Sequence, residues 1–395
     1  MRHYLDHAAT TPMRPAAVAA LTEQLARTGN ASSLHTSGRL ARRVVEESRE
    51  AIAQAIGCRP SEVVFTSGGT ESDNLAVQGT YAARRDADPR RTRLLVSTVE
   101  HHAVLDCVDF LAAHEGAKVT WLECDELGRI SPDTVRAAIA ADPASAALVS
   151  VMWANNEVGT VQDVAGIAAV AHELGVPMHT DAVQAVGHLP VDIAAVDVDL
   201  ASLTAHKLGG PVGVGALVVK REHRLVPLSH GGGQERQVRS GTLDVAAVRA
   251  FAVAVEESVG ELAVERARQT RLRDRLIDGA LRLDLGIAVG GPWTPGSAAD
   301  RLPGNVHLLV PGCDGDSLLY LLDAAGIECS TGSACQAGVP QPSHVLLAMG
   351  LGEEQARGAL RLTLGRTSTE ADIEAVLAAL PPAVDRARRA SGRTR

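Results

Sequence analysis

The stretch DLASLTAHKLGGPVG, residues 199–213, places a single lysine between an apolar run and a glycine-rich turn. Lys207 follows His206 at the end of this run. A lysine amine is rarely buried unless a partner or a reaction uses it, so a purely structural role explains this position poorly. A second polar stretch, VPMHTDAVQAVG, lies upstream on an apolar background and contains Asp181 and Gln184.

These two stretches match the layout that an enzyme dependent on pyridoxal phosphate (PLP) requires. A lysine after one strand forms a Schiff base with the cofactor aldehyde, and an aspartate at the end of another strand pairs with the pyridinium nitrogen and keeps it protonated. The alternative is a surface lysine on a loop together with an unrelated helix-capping aspartate. The two stretches alone leave both interpretations open.

Composition restricts the class of protein. The chain has 395 residues, which favours one large domain with a smaller one appended. A formal net charge of −9 argues against a nucleic-acid-binding surface. We find neither the apolar region of a signal peptide nor an apolar run of transmembrane length, and the cysteines form no disulfide or zinc pattern. We therefore expect a cytoplasmic protein with free thiols and no direct membrane contact.

The order of apolar runs predicts an α/β fold. Strands are predicted at 62–66, 93–98, 118–122, 146–152 and 176–180, with two more around Lys207, and amphipathic helices alternate with them. This pattern is typical of a mostly parallel sheet covered by helices on both faces, and ligands bind such sheets beyond the carboxyl ends of the strands. A long helix over about 244–284 is expected to lead into a smaller α/β unit.

A phosphate site is one interpretation of TSGGTESDN, which follows the first of these strands and opens a helix. Gly69 lets the backbone approach an anion, and the amides of the helix start with the hydroxyl of Thr70 can hold a phosphate. The lysine of a Walker loop is absent. A capped helix after a tight turn remains the structural alternative.

Two further polar clusters follow predicted strands. In VEHHAVL, His101 could stack on a planar ring and move protons, although a solvated histidine at a helix start is an equally good explanation. In SVMWANNEVGT, Asn155 and Asn156 could reach a ligand oxygen or a carboxylate, but asparagine also favours turns.

A cysteine and an arginine in the C-terminal part complete the candidates. Cys335 lies in STGSACQAG, a run of small residues typical of an exposed loop rather than of a core. Arg361 begins RLTLGR, where its planar guanidinium could bind a carboxylate, although a surface salt bridge is the commoner role.

Taken together, the motifs resemble those of the PLP-dependent cysteine desulfurases of the NifS/IscS group, within the class-V aminotransferases of PLP fold type I. The resemblance covers nearly the whole chain and includes several long and rare motifs. In family order these are YLDHAATTP, GNASSLH, FTSGGTESDN, EHHAVL, NNEVGT, HTDAVQAVG, HKLGGPVGVGAL, HGGGQER with RSGT, STGSAC and RLTLGR.

The resemblance implies a large PLP-binding domain over 13–255 with a mixed, mostly parallel seven-stranded sheet. It also implies a small domain formed by 1–12 and 256–395, which carries a long, mobile loop with the catalytic cysteine. Thr204, Ala31 and Gln336 depart from common family forms, and none of these departures threatens the chemistry.

Roles for individual residues follow from the same resemblance. Lys207 would be the Schiff-base lysine, with Asp181 facing the pyridine nitrogen, Gln184 facing the ring oxygen and His101 stacked on the ring. The other cofactor-binding residues implied are Gly69, Thr70, Asn156, Thr204, His206 and Thr242. Thr242 would reach the phosphate of a neighbouring subunit, which requires a homodimer.

The remaining implied roles concern the substrate and the product. Asn156 and Arg361 would bind the carboxylate of L-cysteine. Cys335 would be the nucleophile that receives sulfur as a persulfide while L-alanine is released, and it could transiently ligate an iron–sulfur cluster.

The fate of the sulfur and three alternative functions remain open. Sulfur would pass to acceptor proteins such as an iron–sulfur scaffold or a tRNA thiolase. A selenocysteine lyase or a kynureninase-like hydrolase of the same superfamily is the nearest alternative, and the cysteine loop argues against both. A catalytically inactive assembly scaffold and a cysteine-ligated metal protein are alternatives from other classes.

Overall fold

The computed structural model describes residues 2–332 and 342–390, and a seven-stranded sheet forms its centre. The strands are β1 (His3–Tyr4), β2 (Val63–Thr66), β3 (Arg93–Ser97), β4 (Lys118–Leu122), β5 (Ala146–Ser150), β6 (Met178–Asp181), β7 (Leu200–Thr204), β8 (Gly215–Val219), β9 (Ala288–Val289), β10 (Asn305–Leu309), β11 (Ile327–Glu328) and β12 (Ala359–Thr363).

The order of the central sheet is β2-β8-β7-β6-β5-β3-β4. Only β8 runs antiparallel to its neighbours, β2 and β7. The predicted mixed, mostly parallel seven-stranded sheet is therefore confirmed. Every residue of β5, β6 and β7 is buried. Burial on both faces explains the mostly apolar sequences of β5 and β7, whereas β6, with the sequence MHTD, is mostly polar.

Helices cover both faces of this sheet. They are α1 (Pro15–Leu25), α2 (Thr36–Ile56), α3 (Gly69–Ala87), α4 (His102–His114), α5 (Pro132–Ala140), α6 (Val164–Glu173), α7 (Ile193–Val196), α8 (Val245–Gly260), α9 (Leu262–Leu281), α10 (Gly315–Ala324), α11 (His344–Ala348), α12 (Glu353–Arg357) and α13 (Glu370–Ala390). None of the helices within the two described ranges is long and apolar enough to cross a membrane.

The single helix predicted over 244–284 is wrong. The structure divides it at Glu261 into α8 and α9. The two helices bury their apolar faces in different cores, with Phe251 in the core under the large sheet and Leu276 in a second core. A break after Gly260, a poor helix former, lets each helix turn toward its own core.

The second core lies between α9, α10, α13 and a three-stranded antiparallel sheet of order β12-β10-β9. Val306 and Leu308 of β10 face this core. Because side chains alternate along a strand, His307 and the paired Arg361 of β12 lie on the opposite face. The domain limits of 13–255 for the large domain and 1–12 with 256–395 for the small one stay a prediction.

Candidate active site

Five parallel strands of the large sheet end at one edge, and a predicted site residue follows or ends each of them. This edge is where ligands of open α/β sheets bind. The residues are Gly69 after β2, His101 after β3, Asn156 after β5, Asp181 at the end of β6 and Lys207 after β7.

Lys207 lies against the N-terminal segment of the chain. Its Nζ donates to the backbone oxygen of Ala8 at 2.5 Å and to that of Ala9 at 2.6 Å. The side chain of Gln184 donates to the same oxygen of Ala8 at 3.1 Å. The structure thus brings Lys207 and Gln184 together at one acceptor.

Asp181 is a buried carboxyl group at the end of β6. One of its oxygens accepts the Val183 amide at 2.8 Å. Burial, and then the like charge of Asp73, raises the pKa of Asp181 to about 8. The charged carboxylate is therefore costly in this position unless a further positive group lies beside it.

A buried polar network lies behind Asp181. The His179 ring contacts Ser150 Oγ at 2.9 Å on one nitrogen and Ser202 Oγ at 3.0 Å on the other. Asp73 of α3 approaches the same ring at 3.5 Å, and burial raises its pKa to about 7. Together, these groups fix His179 and hold an acidic side chain beneath the end of β6.

His101 caps α4 and carries no charge at neutral pH. Its Nδ1 accepts the Ala103 amide at 3.1 Å, which leaves the proton of the neutral ring on Nε2. Burial, and then the charge of Lys207, lowers the pKa of His101 to about 4. The electrostatic effect of Lys207 places the two residues in one neighbourhood.

The glycine-rich turn, Thr204 and the segment after Asp181 meet at the start of α3. A Cβ added to Gly69 would lie 2.9 Å from Val183 Cγ2 and 4.0 Å from Thr204 Cβ, so the turn has no room for a side chain here. Thr70 is exposed in the first turn, where the amides have no partners within the helix. His206 reaches Thr10 Oγ1 at 3.3 Å, and burial lowers its pKa to about 4.

Arg361 is buried beside Asn156. One guanidinium nitrogen donates to the backbone oxygen of Asn156 at 3.0 Å, and the other pairs with Asp6 at 2.9 Å. Its Nε has no hydrogen-bond partner within the described residues. The backbone of Arg361 also pairs with Ser330, so the chain that leads toward Cys335 begins next to this arginine.

The side chain of Asn155 has a different role from that of Asn156. Its oxygen accepts the amides of Glu157 and Val158, each at 2.9 Å, and its nitrogen donates to the Val99 oxygen. Asn155 thus shapes the turn itself, as asparagine often does.

Thr242 is not joined to the other predicted site residues within one chain. It is exposed, and no hydrogen bond links it to them in the described part of the protein. The salt bridge between Arg239 and Glu71, at 2.9 Å, nevertheless places the loop that carries Thr242 beside the first turn of α3.

Cys335 and the predicted mobile loop around it lie outside the described residues. The prediction that Cys335 transiently ligates a cluster concerns the same undescribed residue. Among residues 2–332 and 342–390, Cys107, Cys313 and Cys329 are buried, and Cys58 and Cys124 are partly buried. Burial raises the pKa of Cys58, Cys107 and Cys329 to about 12, which disfavours the thiolate that a nucleophile requires. No group of three or more histidine, cysteine or acidic side chains in those ranges is arranged to hold a metal ion.

Sequence reasoning missed several residues that complete the site. Asp6 is the partner of Arg361, Asp73 and His179 lie behind Asp181, and Glu100 is fully buried next to His101. Burial, and then Asp181, raises the pKa of Glu100 well above its usual value. In the sequence, the one indication of their importance was that Glu100 and Asp73 lie within the same motifs as His101 and Thr70.

Known proteins share both the sequence and the fold. The family model described as aminotransferase class-V matches residues 3–376. An IscS-like cysteine desulfurase of Mycobacterium tuberculosis is 57% identical over 98% of each chain. The cysteine desulfurase IscS of Methanosarcina thermophila is 40% identical over 98% of this chain and 93% of its own.

A solved structure described as a NifS-like protein superposes with a TM-score of 0.88 at 33% identity, covering 98% of this chain and 99% of its own. The predicted fold class, PLP fold type I, is confirmed by this likeness together with the seven-stranded sheet. The chain belongs to the class-V aminotransferase family and, within that family, to the cysteine desulfurases.

Proposed function

We propose that this enzyme binds PLP at the carboxyl edge of the large sheet and moves the sulfur of L-cysteine to Cys335. The observation that supports this most is the convergence of Lys207 and Gln184 on the Ala8 oxygen, next to the buried carboxyl of Asp181. The amine of Lys207 comes from one segment of the chain, and the amide of Gln184 and the acid of Asp181 come from another. PLP, when bound, supplies an electron-withdrawing ring that stabilises negative charge on the substrate's α-carbon.

The residues present fit this cofactor. A protonated ring nitrogen beside Asp181 would offset the cost of its buried charge, which its raised pKa reflects. The amides at the start of α3, with the hydroxyls of Thr70 and Thr204 and the ring of His206, would hold the phosphate. Gln184 would donate to the ring oxygen in place of its present contact with Ala8.

Lys207 and His101 would have different roles beside the cofactor. Lys207 would hold the cofactor covalently and, once substrate has displaced it, serve as the base at Nζ. His101 carries its proton on Nε2 because Nδ1 accepts a backbone amide. His101 would therefore stack on the ring and offer a hydrogen bond from Nε2, because a neutral imidazole is a very weak proton donor.

Arg361 and Asn156 would bind the carboxylate of the substrate. A planar guanidinium can hold a carboxylate through two hydrogen bonds. Arg361 already contacts Asp6, so the substrate carboxylate would share Arg361 with that side chain or replace it. Asn156, next to this contact, would add its side-chain amide.

The sulfur transfer balances without another reagent. The thiolate of Cys335 attacks the sulfur of the bound cysteine, the carbon–sulfur bond breaks, and the carbon takes up a proton. One L-cysteine and one thiol thus become one L-alanine and one persulfide. The shielded thiols among the described cysteines support Cys335 as the acceptor.

A homodimer would complete the site. The region around α1 and α2 exposes Leu25, Leu34 and Leu40, and Leu34 is 86% exposed. A groove of about 360 Å³ beside Leu40 lies in the same region. Exposed apolar clusters mark contact surfaces, and a second copy would let Thr242 reach the phosphate site of its partner. Sedimentation velocity should give a dimer, and Leu34→Asp with Leu40→Asp should shift it toward monomer.

The persulfide would deliver sulfur to acceptor proteins in the cytoplasm, such as an iron–sulfur scaffold or a tRNA thiolase. A transient cluster ligand role for Cys335 belongs to the same proposal.

The decisive experiment adds L-cysteine to the purified enzyme and follows alanine and the mass of the cysteine peptide without reductant, and sulfide once a thiol reductant is added. Wild type should release alanine and carry one extra sulfur on the peptide of Cys335. Cys335→Ser should keep the PLP absorbance and lose turnover, whereas Lys207→Ala should lose the covalent cofactor. Cys124→Ser is the matched control and should turn over normally. Normal turnover by Cys335→Ser would refute the persulfide role. If that variant also preferred selenocysteine as substrate, a selenocysteine lyase would be favoured.

A further inference from the structure

Glu157 is a buried carboxylate next to the proposed substrate ligand Asn156. It is 4% exposed, and within residues 2–332 and 342–390 no lysine, arginine or histidine forms an ion pair with it. Its backbone oxygen accepts the Asn305 side chain at 2.9 Å, which fixes the turn against β10. A buried carboxylate without a cation costs free energy, so stability alone explains it poorly.

One oxygen of Glu157 accepts a hydrogen bond just after the stretch 333–341 and lies close to the residue just before it. Ser343 Oγ donates to Oε2 at 2.5 Å. A Cβ added to Gly332 would lie 3.3 Å from the same Oε2. The residues immediately before and two positions after this stretch therefore lie around a single atom.

Each end is also tied to a neighbour of a proposed site residue. Gly332 donates its amide to Ser330 Oγ at 3.1 Å, and Ser330 pairs with the backbone of Arg361. Ser343 caps α11, whose His344 reaches the Glu100 oxygen at 2.9 Å. Glu100 directly precedes His101 in the sequence.

We propose that Glu157 is a positioning residue for the sulfur-transfer step, binding Ser343 just after the stretch that contains Cys335 and lying beside Gly332 just before it, against the turn that carries Asn156. The inference rests on the proposed role of Cys335. Removing the carboxylate leaves the groups that bind cofactor and substrate in place. It removes the hydrogen bond to Ser343, which ties the stretch containing the nucleophile to the turn of Asn156. A displacement of about 1 Å in a reacting group can lower its rate roughly a hundredfold.

The test separates binding from transfer in the PLP-loaded dimer. The variants are Glu157→Ala, Glu157→Gln and Ser343→Ala, with the exposed Glu126→Gln as the matched control. The change in absorbance on adding L-cysteine reports substrate binding, and quenched-flow mass spectrometry of the Cys335 peptide reports persulfide formation in a single turnover.

We expect cysteine affinity within about threefold of wild type in every variant, because no binding group has moved. Persulfide formation should fall about tenfold or more in Glu157→Ala and Ser343→Ala. Glu157→Gln should lose less, since its amide oxygen still accepts the Ser343 hydroxyl. Combining Glu157→Ala with Ser343→Ala should add little, because both remove the same contact.

Persulfide rates within twofold of wild type in both alanine variants would overturn the inference. A loss that matches a drop in PLP content or in cysteine affinity would overturn it as well. A wild-type enzyme that forms no persulfide on Cys335 would instead refute the proposed function, so the two failures are distinguishable.

Discussion

Gln184 Nε2 and Lys207 Nζ donate to one oxygen atom, that of Ala8, over 3.1 and 2.5 Å. The N-terminal segment therefore forms one wall of the site rather than a loose end. Asp6 of the same segment pairs with Arg361, and Thr10 contacts His206. Residues that begin the chain thus touch the cofactor, phosphate and substrate parts of the proposed site.

Changing Arg361 to lysine should weaken substrate binding and spare the cofactor. Lysine keeps the charge but loses the planar fork that contacts Asp6 and Asn156 at once. We expect KM for L-cysteine to rise about tenfold or more with the PLP absorbance unchanged. Steady-state kinetics measure this, with the exposed Arg357→Lys as the control. An unchanged KM would remove Arg361 from the substrate site.

The ends of β5 and β7 could be predicted from the sequence because these strands are buried on both faces and are therefore mostly apolar. Polar residues directly after such runs stand out. The partner of Arg361 could not be predicted, since Asp6 lies 355 positions away in the chain. The same limit hid Ser343 as the partner of Glu157, 186 positions apart.

Local patterns also failed where two cores compete for one stretch. The charged, periodic sequence over 244–284 suits one long helix by propensity alone. The break at Glu261 arises because Phe251 and Leu276 pack in different cores. Tertiary packing therefore overrode the local preference.

Gly69→Ala should lower the affinity for PLP. The new methyl group would lie 2.9 Å from Val183 Cγ2, so the turn or the segment after Asp181 must shift. Either shift displaces the amides proposed to bind the phosphate. We expect the dissociation constant for PLP to rise about tenfold, measured by absorbance titration of PLP-depleted protein.

Gly260→Ala is the matched control for this substitution. A Cβ at Gly260 meets nothing within 4 Å, and alanine there should stabilise α8 by about 0.5 kcal/mol. PLP affinity should stay at the wild-type value. Equal PLP binding by both variants would contradict the assignment of Gly69 to the phosphate site.

Asp181 should make the PLP-depleted protein less stable as the pH rises. Its pKa is about 8 in the folded chain, raised by burial and by Asp73 from a usual value of 3.8. Between these values the folded state holds the proton that the unfolded state has lost. The stabilisation is therefore complete below about pH 4 and is lost as the pH rises toward 8, at roughly 1 kcal/mol per pH unit within the window.

Urea denaturation of wild type and Asp181→Asn at pH 5, 6.5 and 8 measures this effect. The asparagine variant should show the shallower decline, because it removes one titrating group together with the charge that helps to raise the pKa of Glu100. Parallel curves for the two proteins would mean that Asp181 titrates normally. The comparison uses protein without PLP, so it does not depend on turnover.

The loop that carries Thr242 should depend on one buried ion pair. Arg49 holds Glu235 through two hydrogen bonds of 2.7 Å, and Glu235 also accepts the Phe65 amide at 2.9 Å. Both side chains are at least nine-tenths buried. Glu235→Gln leaves the buried arginine charge with only the half-exposed Glu46, at 3.2 Å, as an ion-pair partner, which should cost about 3 kcal/mol of unfolding free energy. The exposed pair of Arg43 and Glu47 provides the control, since Glu47→Gln should cost about 0.5 kcal/mol or less.

If Thr242 completes a partner's phosphate site, Glu235→Gln should also weaken PLP retention in the dimer, whereas Glu47→Gln should not. A stability loss without any change in PLP retention would confine Glu235 to a structural role.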